Sequence, residues 1–293
     1  MILFYSIGGG LGHLTRFGAF INTIGIDEPV TMIASSPFAR DNRVVDQKHK
    51  VLIPPFRAAR TRESLVQWLQ TIVDDLKPRK IYIDAFPSGI LGELNEVFFP
   101  AGCESFLLAR IIKWPVYRER IPGFHNRFKK VFQLEELSSD YLGFLQAHAD
   151  SIEMVALNRP EMRPPAVELK EKSWLVIHSG PDSELQAILQ AVDADYEKET
   201  EKPQVLVVYP GKRPVFVPSG YEFMNIYPAY PLFPYAERVY SAAGFNMVDQ
   251  MKEFRSRHYV MPFERILDDQ FKRCELYRNE FARVLSESEI RQK

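Results

Sequence analysis

The chain has 293 residues, 46% hydrophobic and 26% charged, with a formal net charge of −1. That is the composition of a globular protein long enough for two cored domains, and its near-neutral charge argues against a nucleic-acid partner gripped by bulk electrostatics. Only two cysteines occur, Cys103 and Cys274, neither with a metal-type neighbour, which fits a reducing, cytoplasmic setting and excludes a disulfide framework.

In chain order, short apolar runs alternate with amphipathic stretches, the pattern of a parallel sheet wrapped by helices. Strands are predicted at Ile2–Ile7, Val30–Ser35, Val51–Ile53, Lys80–Asp84, Ser105–Ala109 and Ile152–Leu157. Helices are predicted at Leu14–Thr23, Arg62–Leu76 and Ile90–Val97. Met1–Ile7 reads as a strand, since it lacks the basic flank and cleavage site of a signal peptide. No apolar run approaches the roughly 20 residues of a spanning helix. The proline-rich stretch from Asn158 breaks every regular pattern and reads as a linker. Beyond it the rhythm restarts: strand Trp174–His178, helix Asp182–Val192, strands Val205–Tyr209, Phe223–Tyr227 and Arg238–Ser241, a helix from Asn246, and strand His258–Met261. The tail from Asp268 to about Ser286 reads as one long helix. The expected architecture is therefore α/β, two Rossmann-like βαβ domains facing a cleft. Their boundaries are 1–157, a linker 158–169, 170–273, and a C-terminal helix 274–293 packing back toward the first domain.

The first strand runs into Gly8-Gly-Gly-Leu-Gly-His-Leu-Thr-Arg16. A dinucleotide fingerprint would need glycine at the place of His13, and an acid where the second strand ends in Ser35-Ser36. There is no Gly-Lys-Ser/Thr, so a P-loop is excluded. What remains is a glycine turn bringing His13 to a helix start, where neutral imidazole, the form of a general base, is favoured. On the residues alone, a base and a capping histidine stand about even. Gly10, Gly12 and Arg16 are candidate substrate contacts. Asp84 at a strand end and Glu93 shortly after it are the candidates to orient or charge-stabilise His13; a helix cap and a solvated helix face are the plainer readings of each. Arg110, closing another strand, is a candidate contact facing the cleft. From Arg110 to Phe132, basic residues interleave with Trp114, Tyr117, Phe124 and Phe128, a pattern that could rest on an anionic membrane or lipid, or could be a solvated basic face with its aromatics in the core.

In the second half, Ser179-Gly180 is another glycine turn into a helix, with Asp182 as its expected cap. Tyr240-Ser-Ala-Ala-Gly-Phe-Asn-Met-Val-Asp-Gln250 takes a strand through Ala243-Gly244 into a helix capped by Asn246, with Asp249 completing a box-like pattern. The freed N–H groups from Phe245 to Val248 suit a phosphate, and Gln250, one turn below Asn246, can reach a ribose. Met261-Pro-Phe-Glu-Arg-Ile-Leu-Asp-Asp-Gln270 sets Asp268, Asp269 and Gln270 at the opening of the tail helix. Asp193-Ala-Asp195 could chelate a divalent ion, but its charged surroundings read as a solvated loop.

The stretch from Tyr230 to Arg273 resembles the donor half of GT-B nucleotide-sugar glycosyltransferases, most of all the peptidoglycan N-acetylglucosamine transferase and the plant galactolipid synthases. That resemblance implies a diphosphate over Gly244, Phe245 and Asn246 and a donor sugar at Asp268, Asp269 and Gln270; Ser179 and Gly180, read from their turn alone, could contact the diphosphate or the sugar, or be ordinary turn residues. The resemblance places a glycine-rich loop ending in the histidine in the acceptor half, which makes His13 the base. The related enzymes carry glutamate at the ribose, where this chain has Gln250, a change worth roughly 1 kcal/mol of donor affinity. The activity implied is inverting, metal-independent transfer from a UDP-sugar, with no cofactor. The acceptor is unknown, a lipid-linked or cell-envelope molecule at the inner face of the membrane among the candidates. A nucleotide-sugar hydrolase or epimerase, favoured by the short first half, and a non-catalytic nucleotide-sugar-binding protein are the alternatives.

Overall fold

The protein is described by a computed structural model covering residues 1–160, 167 and 169–286. Most of the expected linker lies outside the described residues. By its contacts the chain forms two units, Met1–Pro160 with Ile266–Asp268, and Glu161–Arg265 with Asp269–Lys293.

Unit 1 contains β1 (Ile2–Ser6), α1 (Leu11–Thr23), β2 (Val30–Ala34), β3 (Lys50–Leu52), α2 (Arg62–Leu76), β4 (Lys80–Asp84), β5 (Glu104–Ala109), α3 (Trp114–Arg118), β6 (Lys130–Gln133), α4 (Ser139–His148) and β7 (Ile152–Met154). Its seven strands are all parallel, in the order β3-β2-β1-β4-β5-β6-β7. β1 and β2 are buried along their whole length, as parallel strands covered on both faces must be. α2 begins where the Thr61 hydroxyl accepts from the Ser64 N–H, and it buries Leu65, Leu69 and Val73 at a spacing of four.

One expectation fails in this unit, and one open alternative is decided. Ile90–Val97 is not a helix. It holds one 3₁₀ turn at Glu93–Asn95, because Gly89 and Gly92 take positive φ (79° and 80°), which interrupts helical continuation. The aromatics of the 110–132 segment face inward: Trp114, Tyr117 and Phe128 lie in the core, with Trp114 stacked on Tyr141 at 4.6 Å. The Tyr117 hydroxyl donates to the Gly89 carbonyl at 2.8 Å and accepts from the Ser88 N–H at 2.9 Å. Arg118, Arg127 and Lys129 stay solvated. A membrane-facing aromatic surface on this segment is thereby removed. Among the described residues no helix is long and apolar enough to cross a membrane.

Unit 2 contains β8 (Ser173–Ile177), α5 (Asp182–Tyr196), β9 (Gln204–Val208), β10 (Glu222–Met224), β11 (Arg238–Ala242), α6 (Phe245–Gln250), β12 (His258–Met261), α7 (Gln270–Leu276) and β13 (Arg283–Val284). The strands are again parallel, in the order β10-β9-β8-β11-β12-β13. Among the described residues, which end at 286, the long tail helix does not form; 287–293 of that expectation lie outside them. α7 has seven residues, and the chain then adds β13 beside β12, a course that buries Phe281 and Leu285 against the sheet. Asp193 and Asp195 are not in a solvated loop but in the last turn of α5. There they accept from the Tyr221 and Tyr240 hydroxyls, and Asp195 also pairs with Arg283.

Counted from its own first strand, each sheet runs 3-2-1-4-5-6, with one more strand in unit 1. The order reverses between β1 and β4 in one unit and between β8 and β11 in the other. In such sheets ligands bind beyond the carboxyl ends of the strands at that reversal.

Candidate active site

Every glycine turn singled out above leaves one of those four strands. In unit 1, β1 and β4 are direct neighbours, with Tyr5 opposite Ile83. The chain leaves β1 through the glycines, Gly10 in an extended conformation serves as N-cap, and His13 falls in the first turn of α1. None of these glycines takes positive φ. Gly8 is required for another reason: a Cβ there would lie 2.1 Å from His13 Nε2. Only a bare Cα lets the imidazole lie against the strand end.

The imidazole is anchored on Asp84, the last residue of β4, by Nδ1 and Oδ2 at 2.7 Å. Arg16, one turn along α1 from His13, places Nε 2.5 Å from Oδ1 and Nη2 2.8 Å from Oδ2 of the same carboxylate. The Ser6 hydroxyl donates to Oδ2 at 2.8 Å. Burial works to raise the Asp84 pKa, but the Arg16 guanidinium and His13 overcome it and hold the carboxyl far below its usual range. An ionised carboxylate only accepts, so the proton of a neutral imidazole resides on Nδ1 and the lone pair on Nε2. Nε2 makes no hydrogen bond among the described residues, and the side chain is 13% exposed. Burial lowers the His13 pKa, Asp84 opposes this, and Arg16 and Arg110 add to the lowering, which favours the neutral form. Directly after Asp84, Ala85 has φ 70°, inside a turn in which the Phe86 N–H reaches the Asp84 carbonyl at 2.9 Å. A left-handed alanine is a strained residue, and it redirects the chain at the carboxylate.

Of the two acids proposed to serve His13, only Asp84 meets it. Glu93 is fully buried elsewhere and accepts from the Tyr5 hydroxyl and from the N–H groups of Ile90 (3.1 Å) and Leu91 (2.7 Å). It is neither a solvated helix face nor a partner of the base. Arg110 is buried and ion-paired with Asp268.

In unit 2, β8 and β11 are neighbours, and the turns Ser179–Gly180 and Ala243–Gly244 leave them at the same edge. Gly180 is confined: a Cβ would come 2.9 Å from His178 Nε2 and 3.1 Å from Glu184 Oε2. Glu184 receives both terminal nitrogens of Arg265, and His178 Nε2 bonds the Pro181 carbonyl at 3.2 Å. Burial lowers the His178 pKa against the opposing charge of Glu184. Asp182 does not cap α5. The cap position is Pro181, and Asp182 instead accepts from the Tyr209 hydroxyl.

The opening of α6 also differs from expectation. Gly244, in extended conformation, is its N-cap, so Asn246 lies inside the helix and forms no capping box with Asp249. The N–H groups of Met247 and Val248 both go to the Gly244 carbonyl, which takes these two out of the expected anion cradle. Gln250 is half-buried at the end of this six-residue helix. The fully buried Arg273 donates to the Ala243 carbonyl at 3.0 Å and braces the turn from beneath.

Asp268, Asp269 and Gln270 each meet a different partner. Asp268 pairs with Arg110, Asp269 caps α7 by accepting from the Lys272 N–H at 2.9 Å, and buried Gln270 accepts from the Phe263 N–H at 3.0 Å. Among the described residues no group of three or more His, Cys, Asp or Glu could hold a metal ion. Sequence reasoning overlooked Ser6, Arg273 and the His178–Glu184–Arg265 set. The pairing of Arg16 with the site left one signal, its spacing of three from His13 on one helix face.

No protein-family pattern and no curated protein matches this sequence. Solved structures do match its fold. The spinosyn rhamnosyltransferase SpnG complexed with thymidine diphosphate superposes with a TM-score of 0.61 at 12% identity, covering 100% of this chain and 89% of that one. The Streptomyces sp. SF2575 glycosyltransferase SsfS6, also complexed with thymidine diphosphate, gives 0.61 at 12%, with 99% and 87% covered. The UDP-GlcNAc 2-epimerase from Neisseria meningitidis bound to UDP-GlcNAc gives 0.60 at 9%, with 99% and 89% covered. With two Rossmann-like units of parallel strands and helices, this chain has the GT-B fold that those structures share.

Proposed function

We propose that the protein transfers a sugar, with inversion, from a nucleoside-diphosphate sugar to a hydroxyl acceptor, and that His13 is the general base. The observation carrying this reading is the His13–Asp84 pair at the β1/β4 reversal, with Nδ1 committed and Nε2 open. The acceptor hydroxyl gives its proton to Nε2, its oxygen bonds the anomeric carbon, and the nucleoside diphosphate leaves with the electron pair of the broken C–O bond. Asp84 stabilises the imidazolium that forms. General-base assistance of this kind contributes about 10²–10⁴-fold.

The donor belongs to unit 2 in this proposal. Ser179, Gly180, Gly244, Phe245 and Asn246 would meet the diphosphate and Gln250 the ribose. Of the expected sugar contacts, Gln270 keeps its amide nitrogen for a hydroxyl, whereas Asp268 and Asp269 would first have to leave Arg110 and Lys272. Thymidine or uridine diphosphate is the nucleotide class that the fold neighbours suggest. The narrower kinship with the peptidoglycan and galactolipid enzymes rests on the motif residues alone.

The epimerase likeness favours a second reading, in which water or a ring carbon of the nucleotide sugar takes the place of the acceptor hydroxyl. Incubation with UDP- and TDP-sugars, with and without lipid and cell-wall extracts, followed by mass spectrometry, separates the two. A new glycoside supports transfer; free sugar or a 2-epimer supports the second reading. His13→Ala is expected to cut turnover at least about 10²-fold while the Kd for the nucleoside diphosphate stays within about twofold. Undiminished turnover would overturn the role of His13, and turnover abolished by EDTA would overturn the metal-free mechanism.

A further inference from the structure

We propose that Arg16 is a positioning residue: its guanidinium fork fixes the Asp84 carboxylate in the orientation that meets His13 and offsets its charge, and does not contact substrate. This rests on the reading of His13 as the base.

Arg16 is almost fully buried, with a side-chain exposure of 3% against 0% for Asp84. Two of its nitrogens go to separate oxygens of one carboxylate, at 2.5 and 2.8 Å. A two-point contact of this sort fixes the plane of the carboxylate, which a single donor cannot do. Oδ2 is thereby aimed at Nδ1 of His13, while Ser6 holds the same oxygen from β1. At 3% exposure, a guanidinium bound in this way offers a substrate almost no accessible surface.

The charged groups facing His13 are Asp84 from β4, Arg16 from its own helix, and Arg110 from the end of β5, itself paired with Asp268. A buried carboxylate left alone beside an imidazole favours the imidazolium, and a base already protonated cannot accept the acceptor's proton. Arg16 offsets that carboxylate, and among the two arginines it exerts the larger lowering effect on His13, after burial. The pair Asp84–Arg16 is neutral overall, so Asp84 can orient the ring without drawing a proton onto it in the resting state.

The test reads the imidazole directly, by NMR titration of His13 in the full chain. Arg16→Gln is expected to raise the His13 pKa by about one unit or more. An unchanged or lower value in a folded Arg16→Gln protein would overturn the proposal. Arg16→Lys retains the charge but cannot fork, and it provides the second arm should Arg16→Gln fail to fold. It is expected to lose the low-field Nδ1–H resonance that a fixed His13–Asp84 bond produces, whereas a wild-type resonance would overturn the proposal. In kinetics, a rise in KM with unchanged kcat in Arg16→Lys would return Arg16 to substrate binding. Because the resonances belong to His13 itself, absence of sugar transfer would sink the proposed activity without touching this assignment.

Discussion

Replacing Gly8 by alanine tests the site through a single methyl group. An ideal Cβ at residue 8 would lie 2.1 Å from His13 Nε2 and 2.3 Å from Cδ2. Non-bonded carbon contacts settle near 3.5 Å, so the ring or the strand end has to retreat by more than about 1 Å. The ring cannot take Asp84 with it, because Arg16 and Ser6 hold both carboxylate oxygens. The 2.7 Å bond between Nδ1 and Oδ2 is therefore what gives way. Overpacking of this size costs about 1–3 kcal/mol of stability, and displacing a catalytic group by about 1 Å costs roughly 10²-fold in rate. Turnover of the competent donor, thermal unfolding and the His13 Nδ1–H resonance are measured on Gly8→Ala, with Gly9→Ala as control. Gly9 has no atom within 4 Å of its Cβ position, so that variant should stay within about 0.5 kcal/mol of wild-type stability. Wild-type turnover together with an unmoved Nδ1–H signal in Gly8→Ala would refute the placement of the imidazole against residue 8.

Glu93→Ala strands the Tyr5 hydroxyl and the N–H groups of Ile90 and Leu91, each orphaned donor costing about 1–3 kcal/mol. A loss of roughly 3 kcal/mol or more by denaturant midpoint is expected, with the His13 titration unchanged; a loss below about 1 kcal/mol would show that the carboxylate is not a brace. His258, fully buried on the Ser241 hydroxyl at 2.8 Å, has its pKa pushed down to about 3 by burial, with Arg255 adding to the effect. Its folded pKa lies below the unfolded value near 6.5, so this contribution is complete above that pH and is lost as pH falls from about 6.5 toward 3, reaching roughly 2 kcal/mol at pH 5. A His258→Gln protein should lose less stability than wild type between pH 7 and pH 5, and parallel curves would rule out the titration of His258 as the cause.

The alternation of strands and helices was legible in the sequence because each element is written in a few consecutive residues. Ile2–Ser6, Lys80–Asp84, Arg62–Leu76 and His258–Met261 need only local hydrophobic patterning to be found. The glycine turns were legible for the same reason, and parallel α/β topology then puts them at the strand ends where ligands bind. Elements too short to show a period, such as α3 and β6, were not legible, nor was the end of α7, where burial of Phe281 and Leu285 prevails over helical continuation. The choice between Asp84 and Glu93 belongs to tertiary structure alone. Asp84 and His13 are separated by 71 positions, and nothing local to either residue says that adjacent strands β1 and β4 will bring them within 2.7 Å. Likewise the 110–132 segment shows its mixture of aromatic and basic residues in sequence, but which side faces the core depends on the core it meets. Local propensity specifies what each segment can form; the pairing of distant charges and the direction of a side chain depend on which strands become neighbours.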